Sequence, residues 1–517
     1  MTSDSLSQML SDFLSGAQAA LVVEDGAVVF DLAESRYSIS GEHNKCLLHL
    51  WSNDRNIVRR VLDAEMKGMA LRLQVQRMGQ NRPTKLEFLR DRDQRSPAAR
   101  QTSRVAYAGR IQRALERHYP DWTVARLTTH IDLHRSFGPA YLRGLLHKGQ
   151  SALAVVGVNA EETQTTVDGA LTCGILWLDA CRQGQRDQRV VEGLVMILPK
   201  GTLTLTQQRM AHLHPTAAKW QLYEFDERED ALSPADIDTN GNLSTRLVHA
   251  TDHGRARERF ADSIAKIREI LPQCDVAVLT PAAISFRLHG LEFAQARVAH
   301  DPQSFQSGQQ IVFGVGAEER VLGESNESQF IELMRLAALI RHRDGPKPHP
   351  LWRMHPERWL ESMVFNQVET LDGRLRNDCV YSQVPAFSAA DRAMIDVLSL
   401  TRENRLAVIE LKANEDLHLP LQGVDYWARV AWHQQRGEFR KFGYFPGCEL
   451  APQKPLLMMV APALHVHPAT DTILRYLSPE IEWELLGIDE HWRDGVRVVF
   501  RKRATDLRIP GAERRSA

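Results

Sequence analysis

Three charged residues interrupt an apolar hairpin in the last third of this 517-residue chain. In "MIDVLSLTRENRLAVIELKA", residues 394–413, Asp396, Glu410 and Lys412 sit inside two apolar runs joined by a polar turn. Strand side chains alternate faces, so in "LAVIELKAN" Val408, Glu410 and Lys412 point one way and Ile409 and Leu411 the other. If the runs pair as a hairpin, Asp396 lies beside Glu410. Two carboxylates on adjacent strands suit a divalent cation, because Mg²⁺ takes hard oxygen ligands and keeps several waters. Without a cation the pair would repel, and burial would shift its pKa values. A lysine on the same face suits orienting an attacking water or neutralising charge on a phosphate under displacement. The competing reading is an edge-strand cluster whose ions are solvated. The flanking apolar runs argue for a strand covered on both faces, and so for a site.

The elements that would position these groups can be read from the surrounding pattern. A helix starts at Pro356, a favourable first helical position, and runs to about residue 370. Strand-like runs follow at 379–387, 393–401 and 405–413, then a helix over about 420–436, a β run at 455–463, a short helix near 470–477, and strands at 481–488 and 496–502. A meander joined to helical crossovers predicts a mixed α/β fold, a mixed sheet with helices on its faces. The leading helix, "PERWLESMVF", carries Glu361 and, one turn earlier, Glu357; Glu361 sits deeper and is preferred. The later helix carries Gln422 and Tyr426 in "QGVDY", residues an ordinary amphipathic helix would also explain. Asp391 is an alternative to Asp396, but its odd spacing puts it on the opposite face of a regular strand.

Taken together, Asp396, Glu410-Leu411-Lys412 and the order of elements resemble the PD-(D/E)xK nuclease superfamily and its restriction-endonuclease-like fold. Glu361 resembles the acidic residue that many such nucleases carry on the first helix. Gln422 and Tyr426 resemble the QxxxY motif of RecB-type members and the related element of NucS- and Mrr-type nucleases. The resemblance covers about residues 350–503 and departs at Ile395, which stands where the superfamily often has proline. It implies a Mg²⁺- or Mn²⁺-dependent hydrolase acting on DNA. Asp396, Glu410 and Glu361 would hold the metal, Lys412 would assist the water, and Gln422 and Tyr426 would position the scissile phosphate. The rival from another class is a non-catalytic nucleic-acid-binding or scaffold protein that keeps the fold.

An internal repeat extends this reading. "LAVVGVNAEE" (153–162) resembles "LAVIELKANE" (406–415) at an offset of 253, and "WQLYEFDE" (220–227) resembles "WELLGIDE" (483–490) at an offset of 263. Between them the second copy is longer, at "EFRKFGYFPGCELAPQ". At the first offset Asp396 corresponds to Arg143, Glu410 to Gly157, Lys412 to Asn159, Gln422 to Gly169 and Tyr426 to Cys173, so every candidate catalytic position differs. Breaks at 90–104, 226–247 and 341–356 divide the chain into a β-rich accessory segment at 1–92, a degenerate nuclease-like domain without the metal site at 98–228, a second β-rich segment at 250–345, and the nuclease domain at 350–503. "VVFDLAESRY" (28–37) weakly resembles "ISFRLHGLEF" (284–293), which suggests that the front segments repeat too. The first nuclease-like copy then serves as a DNA-binding or pseudo-dimer partner. Arg143 is a candidate phosphate contact, with the arginine-dense stretch 90–104 and Arg110, Arg113 and Arg117 on the helix after that stretch adding to a local patch. A solvated helix face explains those arginines equally.

Bulk properties bound the rest. A formal net charge of −1 excludes a globally basic nucleic-acid coat, so a polyanion site must be local. Six scattered cysteines, none in a CxxC pair, suggest free thiols in a reducing compartment. No membrane-length apolar window and no basic, apolar leader are found at the start, which predicts a cytoplasmic protein. "HLHP" (212–215) and "HVHP" (465–468) are read as loop histidines, and "GVGAEER" (314–320) lacks the third glycine of a dinucleotide fingerprint.

Overall fold

A computed structural model describes residues 2–14, 20–24, 27–32, 35–42, 45–51, 56–67, 70–77, 83–89, 97–132, 137–184, 189–237, 245–250, 253–300, 307–315, 319–387 and 392–507. Asp391, the arginine-rich stretch up to residue 96, the Asn-Gly pair at 240–241 and the tail from residue 508 lie outside these. The chain divides into two compact units, Met1–Arg95 with Thr251–His355, and Ser96–Ala250 with Pro356–Ala517.

The first unit is built from two antiparallel sheets. One is seven-stranded, from Leu21–Glu24 to Pro83–Leu89, and its apolar face buries Leu6, Leu10 and Phe13 of the helix Ser3–Leu14. The other is five-stranded, from Asp275–Thr280 to Arg320–Val321, and is covered by the helices Ala261–Ile270 and Glu327–Ile340. The weakly similar segments are wired differently in the two sheets. Ala283–Leu288 and Leu291–His300 pair as a hairpin, whereas Ala27–Asp31 and Arg36–Glu42 form opposite edges of the seven-stranded sheet.

The second unit holds two mixed sheets, each with strands in chain order. The first half runs α1 (Pro97–His118), β1 (Thr123–Thr128), β2 (Tyr141–Lys148), β3 (Ser151–Val158), α2 (Ala170–Gln183), β4 (Val190–Pro199), α3 (Thr204–Met210), β5 (Lys219–Asp226) and β6 (Ala231–Ala235). The second half runs α4 (Pro356–Asn366), β7 (Leu375–Phe387), β8 (Arg392–Thr401), β9 (Leu406–Leu411), α5 (Leu419–Gln435), β10 (Leu456–Pro462), α6 (Thr470–Leu474), β11 (Trp483–Ile488) and β12 (Val498–Arg503). In both sheets the first two pairings are antiparallel, the next two parallel and the last antiparallel. A two-residue strand, Arg246–Leu247, adds to the β7 edge. The mixed α/β fold expected from the pattern is thus present. The parallel strands β9, β10 and β11 are buried along their whole length, which is why they read as unbroken apolar runs.

Strand register corrects the sequence alignment by one residue. Ala154 of β3 faces Leu145 and Leu194, while Val408 of β9 faces Leu398 and Leu457. The structural counterpart of Ala154 is therefore Val408, not Ala407. The cause is the hairpin turn. Lys148 and Ser151 close a two-residue turn, whereas Thr401 and Arg405 close a three-residue turn whose last member, Asn404, takes φ +59°. Because one residue of slip moves every side chain to the other face, Glu410 corresponds to Val156 and Lys412 to Val158 rather than to Gly157 and Asn159. Asp396 still corresponds to Arg143.

One apolar core runs from β3 and β4 through α2 and α5 to β9 and β10. Helix α2 packs on α6, and α5 packs on α3. At the centre Leu213 and Leu477 form an antiparallel bridge. His214 N–H donates to Tyr476 O at 2.8 Å, and Ser478 N–H donates to His212 O at 2.8 Å. Each contact maps onto the other by a shift of 264 positions, so "HLHP" meets "YLSP" (476–479) as its own counterpart. Such an exchange is the mark of an isologous interface. Charged pairs cross in both directions. Arg209 of α3 clasps Asp425 of α5, Nε to Oδ1 at 3.0 Å and Nη2 to Oδ2 at 2.7 Å, and Arg475 after α6 lies 3.8 Å from Asp179 of α2. Among the described residues no helix is long and apolar enough to cross a membrane.

Candidate active site

The hairpin β8–β9 brings the three charged residues together. Val397 faces Ile409, so Asp396 and Glu410 occupy the next opposed position. Glu410 is 2% exposed. Its Oε1 lies 3.3 Å from Lys412 Nζ, and its Oε2 is buried with no hydrogen-bond partner. Asp396 Oδ2 accepts the Leu411 N–H at 3.1 Å. Lys412 also approaches Asp416 Oδ2 at 3.7 Å, and its backbone N–H continues the β9–β10 ladder to Val460 O.

These groups perturb one another. Burial pushes the Glu410 carboxyl well above its ordinary value, and the neighbouring charge of Asp396 adds to this while Lys412 opposes it. Burial also raises Asp396, against the Leu411 N–H and the charges of Lys412 and Arg358. Burial alone would lower Lys412, but Glu410, Glu357, Asp416 and Asp396 outweigh it and hold the ammonium form. Two acids that resist ionisation beside a lysine that keeps its charge form a site short of positive charge.

Helix α4 supplies both of its glutamates to this neighbourhood. Glu361 is buried, and its Oε2 accepts from Arg358 Nη1 at 2.8 Å and from Gln383 Nε2 at 2.9 Å. The same Gln383 nitrogen lies 3.4 Å from Asp396 Oδ1. Glu357 keeps contact with solvent, yet its carboxyl is raised by loss of water and by Asp396 and Asp416, against Lys412 and Arg358. Glu357 in turn acts on Glu410 and Lys412. The sequence offers Glu357 as the alternative to Glu361, and the structure brings both into the neighbourhood; Gln383 is the residue the sequence does not signal. Nothing in the letters around Gln383 signals its turn toward the carboxylates.

From α5, Gln422 and Tyr426 face the same strands. Gln422 Oε1 is a second buried oxygen without a hydrogen-bond partner. Burial pushes the Tyr426 hydroxyl far up, with Glu410 and Asp396 adding to the effect, so it stays a neutral donor. Pro420 stands in the first turn of the helix, and Gly423 lets it lie close on β10, since a Cβ there would stand 3.2 Å from Leu457. Among the described residues no three His, Cys, Asp or Glu side chains stand ready as a metal cage. What the site does offer is two facing carboxylates and orphaned, acceptor-only oxygens, a donor set that fits Mg²⁺ bound through one or two carboxylates with substrate oxygens and water completing the shell.

The first half uses the same frame differently. Arg143 is 2% exposed. Its guanidinium donates to the backbone oxygens of His130 and Tyr141 and lies over Phe137 at 4.7 Å and Trp177 at 5.6 Å. A buried guanidinium so engaged is not presented to a phosphate, which corrects the contact expected of it. Arg110, Arg113 and Arg117 lie on α1 and turn to the β5–β6 connection. Arg110 pairs with Asp230 at 2.6 Å, Arg113 reaches Asp230 at 3.6 Å, and Arg117 donates to Asp230 O. They form a group of their own, apart from Arg143.

No protein-family model matches the chain. No curated protein matches it either. Among solved structures, it is similar to the crystal structure of a repair endonuclease from Pyrococcus abyssi, at 8% identity and a TM-score of 0.16, over 40% of this chain and 92% of that one. It is also similar to a structure of an EndoMS–dsDNA complex, at 12% identity and a TM-score of 0.17, over 43% of this chain and 95% of that one. With likeness this slight, the chemistry has to be argued from the side chains.

Proposed function

We propose that the protein is a metal-dependent nuclease that hydrolyses phosphodiester bonds in DNA at the β8–β9 site. The observation that carries this reading is the buried Glu410 Oε2 left without a partner beside Asp396, while Oε1 of the same carboxylate lies 3.3 Å from Lys412 Nζ. A pair of carboxylates so desolvated is costly unless a cation meets it. Asp396 and Glu410 would hold Mg²⁺ or Mn²⁺, with Glu361 or Glu357 of α4 completing the acidic set. The ion, when bound, would offset phosphate charge and make water a better nucleophile. Lys412, kept charged by its acidic neighbours, orients the incoming water and steadies the charge that grows on the phosphate. Gln422 and Tyr426 donate to the phosphate backbone and hold it in line. DNA as substrate follows the motif resemblance.

The first half, with Arg143, Val156 and Val158 at the matching positions, has no acidic pair there. We read the second unit as a fused pseudo-dimer with one working site, supported by the reciprocal contacts about Leu213 and Leu477. The test is cleavage of plasmid and single-stranded DNA with Mg²⁺, Mn²⁺ or EDTA, beside Glu410→Ala and Lys412→Ala. Metal-dependent cleavage lost in both variants is expected; cleavage that survives both retires the site.

A further inference from the structure

Gln383 has no part in the chemistry above, yet its geometry is the least ordinary in the site. It lies in β7 directly across from Asp396, between the pairs Ser382–Val397 and Val384–Ile395. Its φ is +52°, a left-handed conformation that a residue with a side chain seldom takes within a strand. Conformations of this kind persist where their surroundings over-determine them, and they gather at functional sites. The result here is specific. The Gln383 Nε2 amide reaches Glu361 Oε2 at 2.9 Å and Asp396 Oδ1 at 3.4 Å, joining a carboxylate from α4 to one from β8.

The residue type suits that task. A carboxamide nitrogen has two hydrogens to share between two carboxylates. It relieves their repulsion without bringing a fixed positive charge that would compete with a cation. A lysine or arginine at this point would fill the site; an alanine would leave the carboxylates free to part.

We infer that Gln383 is a positioning residue, whose amide sets the separation of Asp396 and Glu361 so that the acidic set is organised for a divalent cation. This rests on the reading of the site as a metal-dependent nuclease. Two variants separate positioning from folding. Gln383→Gly deletes the amide and accepts a positive φ without strain, and Gln383→Met keeps the length of the side chain but donates nothing. Full-length proteins would be compared by calorimetric titration with Mn²⁺ and by Mn²⁺-dependent plasmid cleavage. Both variants are expected to bind Mn²⁺ roughly tenfold more weakly, as loss of an outer hydrogen bond to a metal ligand commonly does. Their kcat should fall with little change in KM for DNA, and Gln383→Gly should melt no lower than wild type. Wild-type Mn²⁺ affinity and kcat in both variants would overturn the inference and leave the nuclease reading standing. No Mn²⁺ binding and no cleavage by the wild-type protein would overturn both.

Discussion

At the residue scale, the site centres on a carboxylate that its surroundings disfavour. The folded Glu410 carboxyl sits well above its unfolded value, through burial and the charge of Asp396. Its stabilising, neutral form is therefore fully present below the unfolded carboxylate pKa and is lost as pH rises through the folded one. The metal-free protein should lose stability in that upper window, and Mn²⁺ should restore it. Glu410→Gln should abolish cleavage yet raise the metal-free melting temperature at pH 8 by about 2 °C, roughly what 1 kcal/mol gives in a domain of this size. Calorimetry in EDTA checks this, and a lower melting temperature would count against it. Lys412→Ala should lower kcat by about 10²-fold or more, in keeping with loss of one charge stabiliser. Asp396, Glu410 and Lys412 were legible because alternation in a strand is a strict rule. Gln383 was not, since a positive φ leaves no mark on the choice of glutamine. Arg143 was misread because its type suggested a phosphate, while its partners are two backbone oxygens and two aromatic rings.

At the scale of elements, the turn decides what the strands present. The strands and helices of 356–503 were readable nearly to their ends, because capping prolines and apolar runs mark them. The one-residue difference between the Gly149-Gln150 turn and the turn ending at Asn404 was not, for both segments align well at the wrong offset. The histidines packed around α5 make a separate prediction. His212 meets Trp427 edge to face, His418 Nδ1 lies 3.0 Å from Thr172 Oγ1 of α2, and His433 is buried between Thr245 and Glu438. Burial lowers all three pKa values. Their neutral forms stabilise the fold above the unfolded histidine pKa, and this is lost as pH falls through the folded values. Melting temperature should therefore drop from about pH 6.5 downward. His433→Gln should flatten that drop, and an unchanged profile would contradict the assignment.

At the scale of the whole molecule, the second unit holds two mixed sheets with the same order of pairings, and its halves meet through contacts that map onto each other. That closure was invisible in the repeat, because sequence similarity shows which elements match and not which surfaces meet. Arg209 and Asp425 form the more buried of the two ion pairs described across it. Removing one partner leaves the other charge uncompensated, so Arg209→Ala should cost about 3 kcal/mol by denaturant unfolding. A loss under 1 kcal/mol would show that the pair does not hold the halves together. With one acidic site in the pair, the protein should break one DNA strand per encounter. The decisive measurement is the time course on supercoiled plasmid with Mg²⁺ or Mn²⁺, set beside EDTA and the Glu410→Ala and Lys412→Ala variants. Open circles appearing before linear DNA, only with metal and only with both residues intact, is the result predicted here. No metal-dependent cleavage, or cleavage indifferent to both substitutions, would contradict it.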